Sequence, residues 1–128
     1  MKLNALYPSA NTVSIKDALG DETTVKLNLV GPDSKQYHEA TKKAYTEIQD
    51  KGLNIKDPDV SFRLDGAILA ACITGWSGLE DENDVALAHS QEKALELMLT
   101  PELAFMREQV QAAVAERAKF FRKRNPEA

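Results

Sequence analysis

The stretch 60–74 constrains the fold more than any other part of the chain. Val60, Leu64, Ala67, Ile68 and Ala71 recur at helical spacing and form one apolar stripe, while Phe62, Leu69 and Ile73 form a second on the opposite side. A helix that is apolar on two sides must be covered on two sides. It is therefore read as a central helix, with Arg63 and Asp65 at its remaining wet edges. The chain has 128 residues, which is the size of one domain. A chain that long buries roughly two-thirds of its unfolded surface, enough for a core without disulfide staples. Cys72, the only cysteine, lies in the apolar run 67–73 and fits a reducing compartment.

Elements that could cover this helix are readable on both sides of it. Val25, Leu27 and Leu29 alternate with Thr24, Lys26 and Asn28, the period of a half-buried strand. Val13 and Ile15 alternate in the same way, and the turn residues 17–22 between the two runs predict a β-hairpin. Residues 2–7 are expected to add a third short strand. Gly31-Pro32-Asp33-Ser34 ends the sheet and offers a cap for a helix with the narrow stripe Tyr37, Ala40, Ala44 and Ile48, stopped by Gly52. Gly75-Trp76-Ser77-Gly78 is expected to break the central helix, with Trp76 plugging a core edge. Ser90 caps a short helix, and Thr100-Pro101-Glu102 opens the last one, whose core stripe is Leu103, Met106, Val110, Ala113, Val114 and Phe121. The expectation is an α+β fold: a small N-terminal antiparallel β-hairpin or sheet (strands within 1–31) packed on a bundle of about four α-helices at 33–50, 60–74, 91–99 and 101–124.

Catalytic and cofactor chemistry find no foothold. His38 and His89 lie in different segments with no carboxylate or cysteine at ligand spacing, and Cys72 reads as a core residue. From Asp81, the sixth position of a calcium loop would be Ala86 instead of glycine, so the run 80–84 reads as a solvated acidic loop. Gly75-Trp76-Ser77-Gly78 lacks the lysine and the spacing of a phosphate loop. No catalytic, cofactor or metal residues are assigned, and the expectation is a protein that is not an enzyme. The longest apolar run falls far short of the ~20 residues of a membrane-spanning helix, and 1–11 lacks a signal-peptide core. A cytoplasmic protein without membrane contact is expected.

The last helix is the one candidate for contact with a partner. On a wheel of about 100° per residue from Leu103, Phe105 falls near 200° and Phe120 near 260°, away from the core stripe. Their expected exposure would form a shallow apolar groove. The end of the helix concentrates charge: Arg117, Lys119, Arg122, Lys123 and Arg124 carry +5 with no acid between them, and removing them from the net −4 leaves −9 on the rest. Interleaved with Phe120 and Phe121, these residues could contact phosphates and bases, although the acidic remainder argues against nucleic acid. A nucleic-acid-binding regulator is the leading alternative function, and a structural component of a larger assembly the next.

Three stretches together resemble a known family: Val25-Lys26-Leu27-Asn28-Leu29-Val30-Gly31-Pro32-Asp33-Ser34-Lys35-Gln36-Tyr37, then Ala71-Cys72-Ile73-Thr74-Gly75-Trp76-Ser77-Gly78-Leu79, then the late helix ending Glu116-Arg117-Ala118-Lys119-Phe120-Phe121. Their order and spacing resemble the small tail assembly chaperones of long-tailed bacteriophages and prophages. The resemblance implies a non-enzymatic helper in the host cytoplasm, absent from the mature virion. Such a helper holds the tape measure protein soluble until the tail tube polymerises; a structural tail connector is the alternative of similar size and fold. A frameshifted longer product, common in that family, recruits the tail tube protein. Within this picture Phe105, Phe120 and Phe121 are expected to anchor the partner, with Lys119, Arg122, Lys123 and Arg124 steering it. The basic end and the acidic loop would also let copies associate head to tail.

Overall fold

A computed structural model describes residues 1–121. Among them are a three-stranded antiparallel sheet and four α-helices, an α+β fold. Strands β1 (Asn11–Lys16) and β2 (Glu22–Leu29) form the expected hairpin. Asp17 makes its turn: the Oδ1 atom accepts from the backbone N–H of Leu19 and of Asp21, each at 2.9 Å, and Gly20 takes the positive φ of 86° that the turn requires. The pairing slips between Ser14 and Lys16, and at that bulge Thr23 Oγ1 donates to Ile15 O at 2.6 Å.

The third strand is not where the sequence places it. Residues Leu3–Leu6 form an exposed 3-10 turn without a buried side chain. Strand β3 is instead Ile73–Ser77, paired antiparallel with β2 through Leu27–Trp76 and Leu29–Ile73. The central helix α2 (Pro58–Cys72) therefore ends before residue 74, and the chain passes directly into the sheet. Ile73 and Trp76 are strand formers, and β2 offers them an open edge. Gly75 sits across from Asn28, where a β-carbon would stand 3.1 Å from the amide nitrogen.

Local signals explain the helix starts. Ser34 Oγ accepts from Tyr37 N–H at 3.1 Å and opens α1 (Lys35–Lys51), which closes on Gly52 in the left-handed conformation at φ 59°. Asp57 caps α2 by accepting from Asp59 N–H, with Pro58 in the first turn. Ser90 caps α3 (Gln91–Leu99) by accepting from Lys93 N–H at 3.0 Å. Thr100 does not cap the last helix; its hydroxyl donates back to Glu96 O at 2.6 Å.

The last helix is also shorter than its sequence pattern. Pro101–Leu103 form a 3-10 turn, α4 runs over Ala104–Ala115, and Glu116 leaves the helical region before a second 3-10 turn at Arg117–Phe120. Tertiary anchors override helix propensity there. Arg117 Nε reaches Asp33 Oδ2 at 2.7 Å, Ser9 N–H donates to Phe120 O at 2.7 Å, and the Phe120 ring enters the core. That core runs from Ile15, Leu27 and Leu29 of the sheet through Leu69, Cys72 and Ile73. It continues to Met98 of α3 and to Met106, Val110 and Val114 of α4. Helix α2 is central as expected, but through Leu64, Gly66, Leu69, Ala70 and Cys72, with Ala67 exposed.

Candidate functional site

The long helix α1 buries none of its side chains completely. It leans on α2 along one edge, and its far end opens into a groove of about 240 Å³. Thr41, Ala44, Tyr45 and Ile48 line it from α1, and Ser61, Leu64, Asp65 and Ile68 from α2, with Ile55 of the connecting loop at its mouth. Tyr45 is 63% exposed and Ile55 58% exposed, large apolar groups that a monomer gains by covering. The loop is held in place: Ser61 Oγ donates to Ile55 O at 2.8 Å, and Leu53 N–H donates to Ile48 O at 3.0 Å. Glu47 ties the two helices together, with Arg63 Nη1 at 2.7 Å and Lys51 Nζ at 3.2 Å from its carboxylate. The hydrogen bond from Arg63, then that from Lys51, holds the Glu47 carboxyl below its ordinary range. This is a hydrophobic slot with one acid in its lining, suited to a side of a helix.

Among the described residues, the last helix does not present Phe105 and Phe120 together on an open flank. Phe120 is 1% exposed and belongs to the core. The break at Glu116 rotates the following residues out of the phase that an unbroken helix would give them, and this drives Phe120 inward. Phe105 and Phe121 are half-buried against the same core. Lys119 is exposed and pairs with Glu116 at 3.1 Å. Arg122, Lys123 and Arg124 lie outside the described residues. The structure thus brings the three rings toward the core and leaves no joint apolar surface at Phe105 and Phe120. Sequence reasoning missed Tyr45 and Ile55, although a tyrosine beside a narrow stripe and an isoleucine in a polar loop were visible signals.

The remaining candidates serve structure. Trp76 Nε1 donates to Leu87 O at 2.8 Å, and His89 meets the indole edge-on at 4.8 Å between centroids while its Nε2 contacts Ile73 O at 2.9 Å. In the acidic loop, Asp81 Oδ1 accepts from the backbone N–H of Asn83 and Val85 at 2.8 and 3.0 Å. Its carboxylate is spent on shaping a turn. Among the described residues no cluster of three or more His, Cys, Asp or Glu could hold a metal ion. Nor is any helix among them long and apolar enough to cross a membrane.

Residues 32–128 match the family described as YdaY prophage protein. The chain belongs to the YdaY prophage protein family. The match begins after β2, so every residue lining the α1–α2 groove falls inside the YdaY region, whereas the β1–β2 hairpin precedes it. No curated protein and no solved structure matches the chain. For a YdaY protein, the phage setting expected from the sequence is established at the level of a prophage protein.

Proposed function

We propose that this YdaY-family chain is a tail assembly chaperone that binds the tape measure protein and keeps it soluble until the tail tube polymerises. Its prophage family and the order of its hairpin, Gly-Trp segment and late helix support the reading. The observation that carries it is the open apolar groove between α1 and α2, flanked by Tyr45 and Ile55. A tape measure protein is a long helical chain whose apolar stripes would aggregate unless covered. A groove between two helices receives one side of such a helix. The slot is small and open, so a single contact is weak and reversible, and many copies along one chain supply avidity. Reversibility is needed because tube subunits must displace the chaperone. The chain acts by binding, without catalysis, in the host cytoplasm, and leaves before the particle is complete. A frameshifted longer product brings in the tail tube protein.

The test is co-expression with the tape measure protein of the same prophage. Wild type keeps that protein in the soluble fraction. A Tyr45→Glu, Ile55→Glu double variant, folded by circular dichroism, loses this effect, whereas Lys119→Glu retains it. Unchanged solubility with the groove variant removes the groove from the mechanism. Binding that collapses between low and physiological salt would favour a phosphate-binding regulator instead. Recovery of the chain in finished particles would favour a structural tail connector.

A further inference from the structure

Of the polar side chains in the wall of the α1–α2 groove, Ser61 is already bonded to Ile55 O, and Asp65 and Thr41 stand apart from it. Asp65 is the one charged residue lining it. It is exposed and makes no ion pair or hydrogen bond among the described residues. Arg107, which feels its charge, is already engaged by the carbonyls of Phe62 and Met98, both at 3.1 Å. Thr41 Oγ1 is buried and finds no hydrogen-bond partner among the described residues. A threonine inside a helix can donate to the carbonyl one turn back, and Thr46 does so to Lys42 O at 3.0 Å. Thr41 does not, so its hydroxyl is left over on the groove side of α1.

We infer that the groove is selective for a lysine or arginine within the apolar helix it receives, the cation pairing with Asp65 while Thr41 accepts a hydrogen bond from the same segment. This deepens the proposed function and rests on the groove being a helix-docking site. Charge complementarity commits the occupant. No cation lines the slot, and Arg107 offsets the Asp65 charge only from outside it, so an acidic residue brought to the groove is repelled by the carboxylate, whereas a basic one is matched. The long stem of lysine or arginine can also lie along Ile48 and Ile68 with its head in water. A left-over buried hydroxyl costs stability in the free chain, and an incoming donor removes that cost.

The experiment uses three fluorescein-labelled helical peptides with one leucine–alanine stripe and a single central position that is Lys, Gln or Glu. Binding to the full chain is read by fluorescence anisotropy. The Lys peptide is expected to bind about three- to fivefold more tightly than the Gln peptide, the scale of a partly exposed ion pair, and the Glu peptide more weakly than both. Asp65→Asn abolishes the ranking and leaves the Gln peptide unchanged. Thr41→Val raises the denaturation midpoint of the free chain yet weakens the Lys peptide. Equal affinity for all three peptides, no binding of any, or a ranking that survives Asp65→Asn overturns the inference. So does a wild-type dimer that becomes monomeric with Tyr45→Glu, which would assign the groove to a second copy. Failure to solubilise the tape measure protein with the peptide ranking intact would strike the chaperone reading alone.

Discussion

Gly31 and Phe120 occupy one another's space: a β-carbon on Gly31 would stand 2.8 Å from Cγ of the Phe120 ring. The contact seats the end of the described chain on the turn that follows β2. Arg117 pairing with Asp33 and Ser9 donating to Phe120 O close the same clasp. Gly31→Ala should therefore overpack the core and cost about 1–3 kcal/mol. Phe120→Leu alone should cost a similar amount through a cavity, of order 1–3 kcal/mol. The two combined should cost less than their sum, because the smaller ring-free side chain makes room for the methyl. Urea denaturation of both single variants and the double variant checks this, and strict additivity would mean that the two residues do not compete for space.

The Gln109 side chain of α4 treats Lys16 as a neighbouring strand would. Its Oε1 accepts from Lys16 N–H at 2.8 Å and its Nε2 donates to Lys16 O at 2.7 Å, so the end of the β1 edge is covered by a helix. Gln109→Glu should cost about 1–2 kcal/mol, because a carboxylate keeps the acceptor but has no proton for the Lys16 carbonyl. Gln109→Leu loses both bonds and should expose Lys16 N–H to faster hydrogen exchange. Exchange measured at that amide separates local loosening from global unfolding.

How far the sequence carries can be judged from particular residues. Alternation in Thr24–Leu29 and the turn residues around Asp17 specify the hairpin locally, and Ser34, Gly52 and Ser90 mark helix ends through bonds to their own neighbours. Periodicity found α2 and its central place. It failed where distant partners decide. Ile73 and Trp76 look like a helix end and a breaker until β2 is present to pair with them. Residues 101–124 read as one continuous helix, yet Asp33, Ser9 and Gly31 together bend the chain at Glu116 and pull Phe120 inward. The candidate site was missed for the same reason. Exposure of Tyr45 and Ile55 depends on how far α1 overhangs α2, a tertiary quantity that no stripe in α1 alone reports.

Glu47 links α1 to α2 at the groove, and its titration should be visible in stability. Hydrogen bonds from Arg63 and Lys51 lower its folded-state pKa from the ordinary 4.5. A carboxyl with a depressed folded-state value contributes stability that is fully present above its unfolded value and is lost as pH falls through the folded one. The advantage of wild type over Glu47→Gln should therefore be constant near neutrality, shrink as pH drops below 4.5, and narrow in raised salt because the pair is partly exposed. Chemical denaturation of both proteins across acid pH checks it. A difference that grows toward low pH would mean that Arg63 and Lys51 do not stabilise the carboxylate.

Cys72 closes the core where α2 turns into β3, fully shielded from solvent. Burial pushes its thiol up to about 11, because the thiolate would lose its hydration without gaining a partner. Two consequences follow from the sign. At neutral pH almost none of the folded protein carries the reactive thiolate, so alkylation by iodoacetamide should track unfolding: negligible in buffer, complete in denaturant. And because the folded-state value is raised, the native thiol holds its proton over a range in which the unfolded one has released it. This source of stability is present below the ordinary thiol value of 9.0 and is lost as pH rises from there toward 11. Cys72→Ala should flatten that alkaline decline while lowering stability at neutral pH by about 1 kcal/mol for the lost packing. Rapid labelling of the native protein, or an alkaline decline unchanged in Cys72→Ala, would show that the α2–β3 junction opens readily and that Cys72 is not sealed within it.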